Sequence, residues 1–215
     1  MLNLVHTNLK RGRALIIVAH PDDETIWIGG TILAHPMVEW TIYALCGKNN
    51  PERARRFRRA AKIFNARGII SDLKDNDDRL SAKELSRRAE KFIIRGLSRK
   101  SFDHIFTHGE DGEYGNKRHQ GVYMAVSNLL KNKKLSAESG SAFGGQARNV
   151  FCFAYEMHKG GRFASPKKKA DFELKLSKPT FNKKLKIIRD VYGFTPNSFE
   201  FKSCAKVETF NILTL

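Results

Sequence analysis

His20, Asp22, Asp23 and Glu24 place an imidazole and three carboxylates within five consecutive positions. Like charges packed this densely repel unless a cation holds them, and a divalent metal is an economical one. His20 offers a nitrogen ligand and Asp23 an oxygen ligand, a mixture that suits Zn²⁺. Pro21 stiffens the turn between them. One carboxylate can bind metal while its neighbour faces a water as general base. A plainer reading is a helix N-terminus decorated with acids, which favour the positive end of the dipole. That accounts for Asp22 to Glu24 and leaves His20 without a role.

The elements around the cluster sharpen the choice. Ala14 to Ala19 is an unbroken apolar run, which reads as a strand buried on both faces of a parallel sheet. Thr25 to Ala34 carries apolar residues at helical spacing. The acids therefore sit at the carboxyl end of a central strand, where open α/β sheets place their ligands.

A second strand is expected over Glu39–Cys46, then a helix over Arg53–Ala66 opening near Pro51. A short strand at Gly68–Ile70 and an acidic loop at Lys74–Arg79 precede a helix running to about Ser98. Ser81 and Glu84 open that helix at capping-box spacing. A fourth strand, Phe102–Thr107, ends in the polar, Gly-rich stretch His108–His119, whose length and composition mark a functional loop. A helix follows over about His119–Leu130, and Asn132–Gly145 reads as mobile. The rest is read as a fifth strand at Asn149–Tyr155, a basic loop at Gly160–Lys169, a helix near Phe181–Val191 and a strand near Lys206–Leu213.

This alternation predicts an α/β fold of three layers, with a mainly parallel, doubly wound, Rossmann-like sheet in a single domain over residues 1–215. In such a sheet the first and fourth strands are neighbours at the switch point, so the acidic cluster and the His119 loop face one crevice. The turn after the first strand is His-Pro-Asp-Asp rather than Gly-x-Gly-x-x-Gly, which argues against a dinucleotide.

Lys and Arg number 39 against 22 Asp and Glu, a formal net charge of +17. Such a charge points to an anionic partner, an acidic surface or merely a basic proteome, and nucleic acid is the first candidate. The basic residues are instead spread over many helices. Arg53, Arg55, Arg56, Arg58 and Arg59 are the densest group and Lys167 to Lys169 the next. A solvated helix face and loop account for most of them, and a phosphate-bearing or nucleotide-linked sugar also fits the charge. No apolar run is long enough to span a bilayer. Met1–Arg13 is basic without a signal peptide's apolar segment, so a cytoplasmic protein is expected. Cys46, Cys152 and Cys204 form no CxxC and read as buried free thiols.

Ala19-His-Pro-Asp-Asp-Glu24 followed by Gly29-Gly30 resembles the signature of the LmbE-like, or PIG-L, N-deacetylase family, over about Ala14–Val126. The resemblance implies an LmbE-like deacetylase fold. It implies a zinc-dependent hydrolase that removes an acetyl group from an N-acetylglucosamine-type sugar or glycoconjugate. By resemblance the metal ligands are His20, Asp23 and His119, which leaves Asp22 as general base for the metal-bound water. Tyr114 lies where the family has a tyrosine that assists at the oxyanion. Arg53 matches a family arginine that contacts substrate hydroxyls or a phosphate.

The chain departs from the common His-Pro-Asp-His pattern by carrying Asn116-Lys-Arg-His119. An Asn116 amide can donate a hydrogen bond to an oxyanion but cannot carry a proton, which points away from a histidine-assisted mechanism. Glu24 is expected to support the ligands or cap the helix, and His108 and Glu113 have no assigned role. His35, His104 and His158 read as ordinary histidines. Trp27 and Phe143 could stack on a sugar, with core packing favoured for Trp27. Two rival functions remain on this reading: an amidase for a non-sugar amide, and a nucleic-acid or anionic-ligand-binding protein on the same scaffold.

Overall fold

A computed structural model describes residues 2–3, 9, 11–74, 79–137 and 150–214. Its first half runs β1 (Leu2–Asn3), β2 (Gly12–Val18), α1 (Asp23–Ala34), β3 (Val38–Ala44), α2 (Pro51–Ile63), β4 (Arg67–Ile70) and α3 (Ala82–Gly96). Then come β5 (Ser101–Phe102), β6 (His104–Thr107), α4 (Gly112–Gly115), α5 (Lys117–Lys131) and β7 (Ser136–Ala137). The remainder is β8 (Val150–Phe153), β9 (Tyr155–Met157), β10 (Ala164–Pro166), β11 (Phe172–Lys175), α6 (Lys178–Asp190), α7 (Phe199–Ser203) and β12 (Val207–Ile212).

Eight strands form one sheet in the order β1-β11-β12-β8-β6-β2-β3-β4. From β8 to β4 every neighbouring pair is parallel. At the other side β12 runs antiparallel to both β8 and β11. The expected mainly parallel sheet is present, with β2 and β6 side by side at its switch point.

The apolar run of β2 follows from its place between two cores. Ala14, Ile16 and Val18 pack with Ile26 and Ile28 of α1, Phe57 of α2 and Ile188 of α6. Leu15, Ile17 and Ala19 pack with Ile93 of α3 and Val122 and Ala125 of α5. A strand with both faces buried has no polar side to alternate with. Local chemistry starts both helices. Pro51 stands in the first turn of α2, as expected, and the Asn50 side chain, a cap with no counterpart in the sequence reading, closes its start; Ser81 and Glu84 form the expected capping box of α3.

The differences lie where short strands carry charge. The expected strand Phe102–Thr107 breaks at Asp103, whose carboxylate turns back to accept the Arg13 N–H at 2.7 Å. The fragment β5 then pairs with β7 instead of the main sheet. The expected fifth strand ends at Phe153, and Tyr155–Met157 pairs antiparallel with β10, inside the stretch read as a basic loop. β11 and α7 have no counterpart in the sequence reading. Residues 138–145 of the stretch read as mobile, and most of the acidic loop, 75–78, lie outside the described residues.

One buried ion pair ties the end of the chain to α1. Glu208 of β12 and Lys184 of α6 are both fully buried, with Nζ and Oε1 2.6 Å apart. Glu208 also accepts the N–H groups of Gly30 and Thr31, each at 2.7 Å, and the Thr31 hydroxyl at 2.6 Å. Gly30 permits this approach: a Cβ there would overlap Leu176 and lie 2.9 Å from Glu208 Oε1. Glycine inside a helix costs about 1 kcal/mol against alanine, which the satisfied buried carboxylate offsets.

Candidate metal centre

The parallel pairing of β2 with β6 brings two strand-end loops together. The first carries His20 to Glu24. Asp22 has φ 115°, a left-handed conformation unusual for a residue with a side chain. Its neighbours hold it there. Its N–H donates to Glu24 Oε2 at 3.0 Å, and its carbonyl accepts the N–H groups of Thr25 and Ile26 at 2.8 and 3.0 Å as α1 begins. Glu24 Oε1 in turn accepts the hydroxyls of Thr25 at 2.6 Å and Tyr192 at 2.8 Å. Glu24 thus braces the Asp22 turn.

Asp23 is buried beneath that turn. Its Oδ2 accepts the His20 N–H at 2.8 Å, and its Oδ1 accepts the Trp27 indole N–H at 2.9 Å. Trp27 is core, as expected, and also orients this carboxylate. His119 enters from the second loop, on the first turn of α5. Asn116 caps that helix, its Oδ1 accepting the N–H groups of Arg118 at 2.8 Å and His119 at 3.4 Å.

Three of the expected residues converge. His20 Nδ1 lies 3.3 Å from Asp23 Oδ2 and 3.4 Å from His119 Nε2, and His119 Nε2 lies 3.5 Å from Asp23 Oδ1. A tetrahedral ion with ligands at about 2.0–2.1 Å separates them by about 3.3–3.4 Å. The donor set and its spacing fit such an ion.

A second group, His108, Glu113 and His119, also lies close together. Its ligand atoms are already joined at hydrogen-bond distances: Glu113 Oε2 is 2.9 Å from His108 Nδ1 and 2.5 Å from His119 Nδ1. That is too close for the edges of an ion's coordination shell. Gly109 N–H donates to the other oxygen at 2.7 Å. The two imidazoles stack, centroids 3.8 Å apart.

Burial and charge separate the two neighbouring aspartates. Burial first, then Asp23, raises the Asp22 carboxyl well above the usual range, while His20 and Arg53 pull it back. Burial also opposes the charge on Asp23, but His119 and His108 hold its pKa well below the usual value. Burial likewise opposes ionisation of Glu113, which His108 and His119 still lower to about 2. Burial, then the proximity of His108, lowers His119 and favours a neutral ring. Burial opposes a proton on His108, yet Glu113 and Asp23 lift its pKa to about 9. Ala19 N–H donates to His108 Nε2 at 2.9 Å, which leaves Nδ1 as the nitrogen that donates to Glu113.

Asn116 Nδ2 donates to the Tyr114 hydroxyl oxygen at 2.9 Å. Tyr114 stands edge-on to His119, centroids 5.3 Å apart, and burial raises its pKa, so it stays a donor. Arg53 is half-buried and near enough to Asp22 to act on its charge. Its neighbours serve elsewhere: Arg55 and Arg56 pair with Glu52, each at 2.9 Å. His104 packs on Phe151, His158 stacks on Phe163, and His35 closes the end of α1. Phe143 lies outside the described residues. A cleft of about 230 Å³ lined by Arg13, Glu39, Arg67 and Arg99 lies at the opposite, amino end of the parallel strands.

Sequence reading missed His108, Glu113 and Tyr192 at this site. A signal existed for the first two: a histidine directly after a buried strand, and an acid directly after Gly112 in a Gly-rich loop. Tyr192 reaches Glu24 across 168 positions and gave none.

Comparison with known proteins places the chain in a family and a fold. The profile of one family, PIG-L, described as GlcNAc-PI de-N-acetylase, matches residues 15–130, more than half of the chain. A comparison with curated proteins finds no match. Among solved structures, GalB, the 4-carboxy-2-hydroxymuconate hydratase of Pseudomonas putida KT2440, superposes with a TM-score of 0.62 at 14% identity, covering 94% of this chain and 96% of that one. The A40926 pseudoaglycone deacetylase Dbv21 gives 0.58 at 11%, covering 92% and 95%. A zinc-inhibited form of the teicoplanin deacetylase Orf2 gives 0.54 at 12%, covering 89% and 84%. At these identities the likeness is one of fold.

Proposed function

The chain belongs to the PIG-L family, and on that premise we propose that it is a zinc-dependent N-deacetylase acting on an N-acetylglucosamine-type sugar conjugate. The observation that carries this is the convergence of His20, Asp23 and His119 at the switch point: the two ring nitrogens are 3.4 Å apart, and each lies 3.3–3.5 Å from one of the two Asp23 oxygens. These three residues would hold the ion. When bound, the ion supplies a Lewis acid for the amide carbonyl and acidifies a water to near ~7.

The chain's own groups do the rest. Asp22 stands beside Asp23 on a braced turn and is half-buried. Its carboxylate takes the attacking water's proton and returns it to the departing nitrogen, so water and amide become acetate and amine. Tyr114 accepts a hydrogen bond from Asn116 and keeps its own O–H to donate to the carbonyl oxygen as negative charge develops. Asn116 therefore acts through Tyr114 and as the cap that sets His119. Arg53, on the rim beside Asp22, offers a cation to substrate hydroxyls or a phosphate. With the net charge of +17, this favours an anionic conjugate as substrate.

The test is metal content and acetate release across neutral, phosphorylated and nucleotide-linked N-acetylated sugars. About one zinc per chain is expected, largely lost in His119→Ala. A His119→Ala protein that keeps its zinc would sink the ligand assignment.

A further inference from the structure

Glu113 has a conformation and a set of partners that packing alone does not call for. Its φ is 60°, where glycine rests without cost and other residues are strained. It is buried, 2% exposed, at the centre of the second loop. Oε1 is taken by Gly109 N–H, and Oε2 receives His108 Nδ1 and His119 Nδ1. Both imidazoles have their other nitrogen aimed across the crevice. His108 Nε2 accepts the Ala19 N–H, so the His108 proton must sit on Nδ1. His119 Nε2 points at His20 and Asp23.

We propose that Glu113 is a positioning residue that holds His119 in its Nδ1–H tautomer and, through His108, fixes the Ala19–His20 peptide. One carboxylate then sets both halves of the ligand triangle. The lone pair of His119 Nε2 faces the site because Glu113 claims the proton on Nδ1. The stem of His20 is fixed because His108 claims the N–H of the residue before it. The stacked rings keep the two effects in register. A carboxylate behind a ligating histidine fixes the ring and raises its basicity, and its loss typically costs about 10- to 100-fold in metal affinity. This inference rests on His20, Asp23 and His119 being metal ligands.

Two measurements on the full chain test it. Glu113→Gln keeps length and shape but loses the charge. Zinc affinity, read by competition with a chromophoric chelator, should fall about 10- to 100-fold. The unfolding midpoint of the metal-free variant should stay close to that of the metal-free parent. Binding within about twofold of the parent would overturn the proposal, as would an affinity loss matched by collapse of the metal-free fold. The second measurement needs no variant and no metal. Nitrogen-15 NMR of the metal-free parent should show His119 protonated at Nδ1 and bare at Nε2, and the opposite tautomer would overturn the proposal. A parent that binds no zinc but shows this tautomer would refute the metal reading and leave the role of Glu113 in orienting the ring intact.

Discussion

Glu113 and Glu208 are both buried carboxylates saturated with donors, yet they are built to different ends. Glu208 is neutralised by Lys184, and every remaining contact is a backbone N–H or hydroxyl of α1. An ammonium has only donors, so nothing is left over to act elsewhere. Glu113 is met by two imidazoles, and each has a second nitrogen that reaches out of the cluster. The number of bonds is similar. What differs is whether the partner has a lone pair still to use. Backbone conformation follows the same division: Glu113 and Asp22 both have positive φ, whereas Glu208 lies in a regular strand. A closed carboxylate clamps a fold; an open one orients a site.

The most severe test of this contrast is Lys184→Met. It strands Glu208 as a buried charge, and breaking such a pair costs about 3–5 kcal/mol. Urea unfolding should show that loss, while folded protein keeps its zinc content. A cost below about 1 kcal/mol would mean that the clamp is not what holds β12 to α1. At the site, Asp22→Asn should leave metal and fold in place and lower turnover about 10²- to 10⁴-fold. Loss of zinc in this variant would move Asp22 among the ligands and blur the division between the two neighbouring aspartates.

Tyr192→Phe probes the border between the two regions, since its hydroxyl reaches the Glu24 brace from the end of α6. Removing one buried hydrogen bond to a carboxylate should cost about 1.5–3 kcal/mol in stability without changing zinc stoichiometry. A drop in stoichiometry would show that the brace belongs to the ligand set. The smallest effect is expected at the rim. Arg53→Ala should erode any preference for an anionic substrate more than Lys168→Ala does. That preference should fade with salt, as the screening length drops from ~10 Å at 0.1 M to ~3 Å at 1 M. Equal rates on neutral and anionic forms at low salt would separate Arg53 from substrate recognition.

The open region was the more legible of the two. His20 and Asp23 directly follow one buried apolar strand and His119 opens the helix beyond the loop after another; parallel topology brings those two loops together, and the family resemblance singled out the three residues as ligands. The capping box of Ser81 and Glu84 could be read because its two members lie three positions apart. What stayed hidden depends on distance or on backbone sign. Glu208 meets Gly30 across 178 positions and Lys184 across 24, and no local pattern marks either. Glu113 turns inward only because its φ is positive, a choice that its residue type disfavours. β5, β10 and β11 are two to four residues long, too short for alternation to show.

The span between Glu208 and Gly30 also bears on how the protein is made. At about 5–20 residues per second of synthesis, the 178 positions between them take roughly 10–35 s to emerge. By then every candidate ligand, the last of them at position 119, has long left the ribosome. Helix α1 must wait through that interval with the notch at Gly30 unfilled and β8 without β12 at its side. The nascent chain is therefore assembled out of order: the candidate ligands are delivered early, and the strand that steadies α1 arrives well after them.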